Sequence, residues 1–336
     1  MKRVVFNVAL ILLLSCSMLF AAGGTETAKK QEIVLTVAHV AIEGQYHPYN
    51  EGLKKMQEVL DEKTGGQVKL KIYAGGSLSN DEKEMLNMIN ADSLDIAIVA
   101  PSPLATFTPI ISILGLPYVF KSLDHAEAIM AGEVGDVMRA KMIESNFYPL
   151  SWWIGKGFRS VNSASKPVVT PADLKGQKIR VMQDPAYIDA FNAFGANPVP
   201  IAWGELHTAL QTKTVNAHEN DPPVINEYGF IEFAKYFSLT EHSLMPIVVV
   251  MKASKLEAMD PAIKQAILEA ADAARGVSRK VADDQVAKAY AGIESQGGIV
   301  NKVDKDAFFA LAKPVVEAYK TKFGAEGARL IDLMLK

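Results

Sequence analysis

From Pro261 to Gln296 the chain offers about 36 residues rich in Ala, Lys, Glu, Gln and Val, with no proline between Pro261 and Pro314. Asp260-Pro261 is a helix start, a capping carboxylate followed by a proline whose fixed φ suits the first turn and whose missing N–H is not needed there. Gly297-Gly298 marks the stop. As one helix the segment measures about 54 Å at 1.5 Å per residue, against the roughly 30 Å width of a small domain. Such a rod braces two lobes at once. The alternative is a break near Gly276, which leaves two ordinary helices.

The remainder of the chain supplies the lobes. With 336 residues, 49% of them hydrophobic and 22% charged, it can bury a sizeable core and is long enough for about two domains. Ile33 to His39 and Val68 to Tyr73 read as strands around a helix from about Tyr49 to Lys63 that stops at Thr64-Gly65-Gly66. Asn80 or Asp81 caps a helix running to about Asn90, and Leu94 to Val99 is the next buried strand. A second unit repeats the rhythm: strand Gln177 to Val181, a helix from Asp184-Pro185 to Gly195, strand Asn197 to Pro200, and a helix from Trp203 to Thr212. Strand-helix alternation signals parallel sheets covered by helices, so the expected class is α/β with two lobes.

The N-terminus reads as an export segment. Lys2 and Arg3 form a basic start, Val4 to Leu14 an apolar stretch, and Ala21-Ala22-Gly23-Gly24 a small-residue cleavage site, which gives a signal peptide over residues 1–22. The apolar run continues through Met18-Leu19-Phe20, so a membrane anchor is the competing reading, although no charged stop-transfer cluster follows. Cys16, the single cysteine, lies in Leu13-Leu14-Ser15-Cys16, which resembles a lipobox, and free and lipid-anchored forms both remain open. Without Cys16 the mature chain has no thiol, which excludes disulfide, thiolate-metal and cysteine-nucleophile chemistry. Loss of Lys2 and Arg3 takes the formal charge from -3 to -5, so there is no general basic footprint for nucleic acid. Any anion site is therefore a local feature.

Two arginines are candidates for such a site. In the strand Gln177-Lys178-Ile179-Arg180-Val181, alternation puts Ile179 and Val181 on one face and Lys178 and Arg180 on the other. Arg180 falls near the carboxyl end, where open α/β sheets place ligands. A guanidinium there grips a carboxylate through two parallel hydrogen bonds; otherwise it is an arginine on a solvated strand face. Arg159 follows Trp152-Trp153-Ile154-Gly155-Lys156-Gly157-Phe158, where the glycines let backbone approach a ligand and Lys156 adds a cation. Downstream, Asn220 sits where Val215 to Asn220 leaves a strand and Asp221-Pro222-Pro223 opens a helix, a turn that can present an amide or act only as a cap.

An enzyme is the main alternative, a periplasmic lyase or hydrolase on a similar scaffold. His39 with Glu43 and His218 with Glu219 are its candidate metal or acid-base pairs. Against it, the sequence has no His-Glu-x-x-His, no Gly-x-Ser-x-Gly elbow, no phosphate-binding loop and no Gly-x-Gly-x-x-Gly after a strand. No cofactor or metal is called for.

Taken in order, Gly157-Phe158-Arg159-Ser160-Val161, Thr170 through Met182, Gly195-Ala196-Asn197-Pro198-Val199-Pro200-Ile201-Ala202-Trp203, Leu210-Gln211-Thr212 and Glu219-Asn220 resemble TRAP (tripartite ATP-independent periplasmic) transporter solute-binding proteins of the C4-dicarboxylate type. Weaker similarity extends from Ile33 to the C-terminus. The resemblance implies a two-lobed binding protein with a ligand cleft between lobes of 32–157 plus 246–285 and 158–245 plus 286–336. Crossovers near Lys156 to Phe158 and Leu244 to Pro246 would act as hinges. It implies a monomer that hands a small organic acid to the TRAP membrane permease subunits and binds no nucleic acid.

Position by position, Arg180 matches the family's carboxylate-clamping arginine and Arg159 its usual second arginine. Asn220 matches a ligand-contacting asparagine, Trp203 an aromatic that flanks the ligand, and Glu82, more loosely, an acidic residue that orients an arginine or a ligand hydroxyl. Two departures lie near the pocket. Ala217, His218 and Asp221 replace members of the usual Gly-Gln-Glu-Asn-Pro run, and Lys156 stands where an asparagine or aspartate often precedes Gly-x-Arg. Trp203 offers a flat apolar face that suits a sugar acid, an aromatic acid or a dicarboxylate chain.

Overall fold

The computed structural model describes residues 31–336, so the export segment and Cys16 lie outside the described residues. The first half runs β1 (Ile33–Ala38), α1 (Pro48–Thr64), β2 (Val68–Tyr73), α2 (Glu82–Asn90), β3 (Ile96–Val99), α3 (Pro101–Leu104), α4 (Leu123–Ala131), α5 (Glu133–Glu144) and β4 (Phe147–Ile154). There follow β5 (Arg159–Ser163), β6 (Lys178–Val181), α6 (Pro185–Ala193), β7 (Asn197–Pro200), α7 (Leu206–Gln211), β8 (Ala217–Asn220), α8 (Pro222–Glu227), β9 (Tyr236–Ser243) and β10 (Pro246–Lys252). The chain closes with α9 (Ala253–Glu257), α10 (Pro261–Ser295), β11 (Ile299–Asn301), α11 (Lys305–Lys322) and α12 (Gly324–Leu335).

Local capping chemistry sets many of these boundaries. Asp81, Asp184 and Asp260 accept the N–H of Lys83, Ala186 and Ala262 at 2.8, 3.0 and 2.8 Å, each satisfying a donor that the first helical turn leaves free. α1 ends at Gly65, whose φ of +61° is the left-handed stop that glycine adopts without penalty.

The strands form two sheets, one in the order β2-β1-β3-β10-β4 and the other β11-β9-β5-β8-β6-β7. The expected parallel pairing holds for β1 with β3 and for β6 with β7 and β8. Both sheets are nonetheless mixed, because β10 runs antiparallel to β3 and β4, and β5 runs antiparallel to β8 and β9. The cause is topological: residues 155–158 carry the chain from the first sheet to the second, and Leu244 and Met245 bring it back. Each return strand enters its sheet from the opposite end.

α10 is a single unbroken helix of 35 residues, about 52 Å long. A Cβ added at Gly276 would meet nothing within 4 Å, so this glycine faces open space and marks no break. The helix packs on α1 and β4 of the first body and on α8 and β11 of the second. Its buried face is largely small, with Ala266, Ala270, Ala274, Ser278, Ala282 and Ala289, which lets it approach closely. At Gly155 a Cβ would come within 2.5 Å of the Ala282 methyl, so the crossover passes directly against the helix.

One apolar core gathers Ala97, Val99, Met138, Trp152 and Val248 around the first sheet. Leu330, Ile331 and Met334 of α12 join it, so the end of the chain folds back onto that side. A smaller core of Leu206, Val215, Ile225, Phe230, Phe237 and Ile293 serves the second sheet.

Candidate functional site

The cavity lined by residues of both sheets holds about 880 Å³ of empty space, part of it continuous with solvent. Glu82, Lys156, Arg159, Arg180, Trp203 and Asn220 all line it, so the six residues singled out from sequence come to one place. Their roles divide there.

Arg159 opens β5, and the antiparallel register with β8 pairs Ser160 with Asn220 and Val161 with Glu219. Its Nε donates to Glu219 Oε2 at 2.5 Å, while Nη2 donates to Glu219 Oε1 at 2.8 Å and to the Glu219 carbonyl at 2.7 Å. Nη1 donates to Asn220 Oδ1 at 2.7 Å. This is a bidentate pair, almost wholly buried. Burial alone would raise the Glu219 carboxyl, but the Arg159 charge and the hydrogen bond from His242 hold it down at about 2. For Arg159 burial likewise works against the charge and Glu219 overcomes it, leaving the guanidinium more firmly protonated than usual. Four of its five N–H donors are spent inside the protein.

Arg180 is the opposite case. It sits in β6 and is 3% exposed, so it is no solvated strand-face arginine, whereas Lys178 on the same face is exposed. Nε donates to the Ile201 carbonyl at 2.9 Å, and neither Nη has a partner among the described residues. Burial and then the neighbouring Arg159 pull its pKa down to about 10, against the pull of Glu219 and Glu82. The side chain is still a cation at neutral pH, with four N–H donors directed at no protein acceptor. An anion is what completes it.

Asn220 Oδ1 accepts from Arg159 Nη1 and from the Asp221 N–H at 3.2 Å, so its Nδ2 is left for the cavity. The helix cap at this turn is Asp221, which accepts the Val224 N–H at 3.1 Å; Asn220 is not the cap. Glu82 accepts the Ala100 N–H at 3.3 Å, and burial pushes its pKa up to about 7 although Lys156 and Arg180 oppose this. Trp203 stands edge-on to Tyr228 and Phe230, with ring centroids 5.1 and 5.9 Å away, which fixes the indole as a wall. The Lys156 ammonium lies 4.4 Å from the centroid of the Tyr49 ring. Across the mouth, the Gly204 N–H donates to the Asn80 carbonyl at 3.2 Å.

The candidate enzyme pairs do not form. His218 and Glu219 are consecutive in a strand and face opposite ways. His218 Nε2 meets Asn162 Oδ1 at 2.9 Å, and burial and Arg180 lower its pKa to about 3, so it is neutral. His39 is buried while Glu43 is exposed, so they do not converge. Among the described residues no group of three metal-ligating side chains comes together.

Two participants, His242 and Tyr187, were not picked out from sequence, and Glu219 was read there only as a possible enzyme partner of His218 and as a motif residue. Glu219 neutralises Arg159, His242 Nε2 supports Glu219 at 3.3 Å, and Tyr187, bonded to Ser243 at 3.0 Å, places its ring 5.9 Å from the Arg159 guanidinium. The one available signal was that Glu219 keeps the acidic position of the fourth motif.

Two mixed α/β sheets around a cleft, one long helix across both bodies and a buried arginine with unspent donors define a two-lobed binding protein. The chain matches the model for bacterial extracellular solute-binding protein, family 7, over residues 37–322, and it belongs to that family. It is 33% identical over 256 residues to the 2,3-diketo-L-gulonate-binding periplasmic protein of Escherichia coli K12, covering 76% of this chain and 77% of the relative. A TRAP periplasmic solute-binding protein from Roseobacter denitrificans with bound β-D-glucuronate superposes with a TM-score of 0.85 at 30% identity, covering 90% of this chain and 99% of that one. Another, from Polaromonas sp. JS666 with bound D-erythronate, gives 0.85 at 27% identity, covering 90% and 98%. The chain is thus the extracytoplasmic solute-binding component of a TRAP transporter, taking a small organic acid and working with membrane permease subunits. It is not an enzyme, and the lyase or hydrolase alternative finds no support.

Proposed function

We propose that this chain captures a sugar acid or related small hydroxy-carboxylate, with the carboxylate held by the Nη groups of Arg180 and by Asn220 Nδ2. The observation that carries the reading is the contrast between the arginines: Arg159 is spent on Glu219, and Arg180 is buried with both Nη groups unpartnered among the described residues. Glu82 accepts a ligand hydroxyl, Trp203 packs on the carbon skeleton, Lys156 lines the far end, and Arg159 orients Asn220. Relatives crystallised with β-D-glucuronate, β-D-galacturonate and D-erythronate support the ligand class.

Membership of the two sheets supports lobes of 32–157 plus 246–285 and 158–245 plus 286–336, with α12 reaching back to the first core. Export through residues 1–22 places the mature protein in the periplasm, and the intact mass separates cleavage after Ala22 from lipidation at Cys16. A thermal-shift screen of uronates, aldonates and C4 dicarboxylates tests the reading. At 100 times Kd a ligand adds about 2.7 kcal/mol. Stabilisation by no hydroxy-acid, or equal stabilisation of an Arg180→Met variant, would overturn it.

A further inference from the structure

The first body contributes a phenol to the cavity wall, Tyr49 of α1, whereas Arg180 and Asn220 come from strands of the second sheet. Its position is fixed by several independent contacts. His47 caps α1, its Nδ1 accepting the Tyr49 N–H at 3.2 Å, and Pro48 sets the first turn, so the backbone at Tyr49 is held where the helix begins. The ring meets His47 and His39 edge-on, with centroids 4.7 and 5.8 Å away, and lies tilted against Trp153 at 6.4 Å. One turn along α1, Gly52 leaves room for that indole, since a Cβ there would come within 2.6 Å of it. The Lys156 ammonium stands 4.4 Å from the centroid of the same phenol ring. A cation over the ring draws electron density from it and makes the hydroxyl a better donor.

Only the hydroxyl has nothing to bind inside the protein. Tyr49 is 3% exposed, and its Oη has no hydrogen-bond partner among the described residues. Nor is that oxygen sealed in, as Trp153 Nε1 and both ring nitrogens of His39 are. It opens on the cavity that the residue lines. A tyrosine buried this deeply normally finds a partner for its O–H, so a fixed, accessible and unfilled donor calls for a ligand atom. Burial holds its pKa well above the ordinary phenol range, and the group remains protonated. A ligand carboxylate is better served by the charged Nη groups of Arg180. What suits a neutral phenol is a hydroxyl oxygen, which accepts its proton and can pass its own to a further acceptor.

We propose that Tyr49 is a further specificity-determining residue of this cleft: its hydroxyl donates to one hydroxyl oxygen of the acid whose carboxylate Arg180 holds. The first body thereby reads the hydroxylation of the carbon chain while the second holds the charge. This rests on the sugar-acid reading and on Arg180 as the anchor. The test is calorimetric titration with C4 to C6 uronates and aldonates, D-glucuronate, D-galacturonate and D-erythronate included, and then with each monodeoxy analogue of the tightest binder. Parent, Tyr49→Phe and Arg180→Lys proteins are compared. Tyr49→Phe deletes one oxygen and keeps the ring that packs on His39, His47, Trp153 and Lys156.

Tyr49→Phe should bind the fully hydroxylated acid at least about fivefold more weakly, the scale of one neutral hydrogen bond. One monodeoxy analogue should escape this dependence and bind parent and variant within about twofold of each other, while the other analogues retain it. The unliganded variant should melt no lower than the parent, because the deleted hydroxyl has no partner to lose. Equal binding of the acid by parent and variant overturns the inference. So does a loss that persists undiminished through every monodeoxy analogue, or one matched by a lower melting temperature without ligand. Where binding still depends on Arg180, those results leave the sugar-acid reading standing. Failure of every uronate and aldonate to bind, or binding indifferent to Arg180→Lys, overturns that reading and this one with it.

Discussion

Arg180→Lys keeps the positive charge of the anchor and removes its geometry. In the parent, Nε is spent on the Ile201 carbonyl at 2.9 Å and the two Nη groups are free for a ligand. A lysine ammonium replaces that pair of forward-facing donors with a single centre, so one of two parallel bonds to the ligand carboxylate is lost. A hydrogen bond to a charged group contributes about 1.5–3 kcal/mol. We therefore expect binding to weaken by at least about 2 kcal/mol, roughly thirtyfold. Folding should change much less. The lost bond to Ile201 costs about 0.5–1.5 kcal/mol, and it is offset by relief of a guanidinium that burial and Arg159 already disfavour. Arg180→Met should extend the pattern, abolishing binding while the unliganded protein melts no lower than the parent, because an unpaired buried charge has gone. Titration calorimetry with the best acid from the screen, alongside melting curves without ligand, measures both quantities. A lysine variant that binds within threefold of the parent, or one that fails to fold, would refute the assignment of Arg180 as anchor.

Glu219→Gln leaves Arg159 buried beside a neutral amide, and urea denaturation should show a loss of about 3–5 kcal/mol; a loss below about 1 kcal/mol would mean the pair is dispensable. Glu82, raised by burial to about 7, favours the folded state when protonated, so the stability it contributes is complete below pH 4.5 and is lost as pH rises toward 7. Glu82→Gln should accordingly gain in melting temperature relative to the parent across that window, and parallel pH profiles would contradict the shift. At the cleft mouth a Cβ on residue 204 would lie 2.6 Å from the Asn80 Cβ. If ligand binding closes the lobes about their crossovers and makes this contact, Gly204→Ala should weaken ligand binding by about tenfold with the unliganded melting curve unchanged; an equal loss in both would make the contact a general packing defect.

Much of the site was legible from neighbouring residues. Cap-then-proline pairs at Asp184 and Asp260, the glycine stop at Gly65 and the run of helix formers after Pro261 act within three or four residues, and each sets an element where it stands. Arg180 was placed correctly at a strand end for the same reason. Whether Gly276 would break the long helix was not decidable locally, since a glycine costs about 1 kcal/mol and tertiary packing along α1, β4 and α8 outweighs it.

The difference between the two arginines was equally hidden. Each lies in a short strand beside apolar neighbours, and nothing nearby in sequence says which is spent. That was settled by the β5-β8 register, which brings Glu219 to Arg159 across 60 residues. The same holds for Lys156, which lines the cleft together with Glu82 and Asp221 although neither is its neighbour in sequence. The amino-acid sequence by itself determined many of the helices and strands, because those follow from short-range geometry and polarity, and its resemblance to a known family named residues that meet in the cleft. Only the tertiary structure decided which charges are paired and which are left for a ligand, because a Coulomb interaction depends on distance in space and on burial, and neither is written in the order of residues.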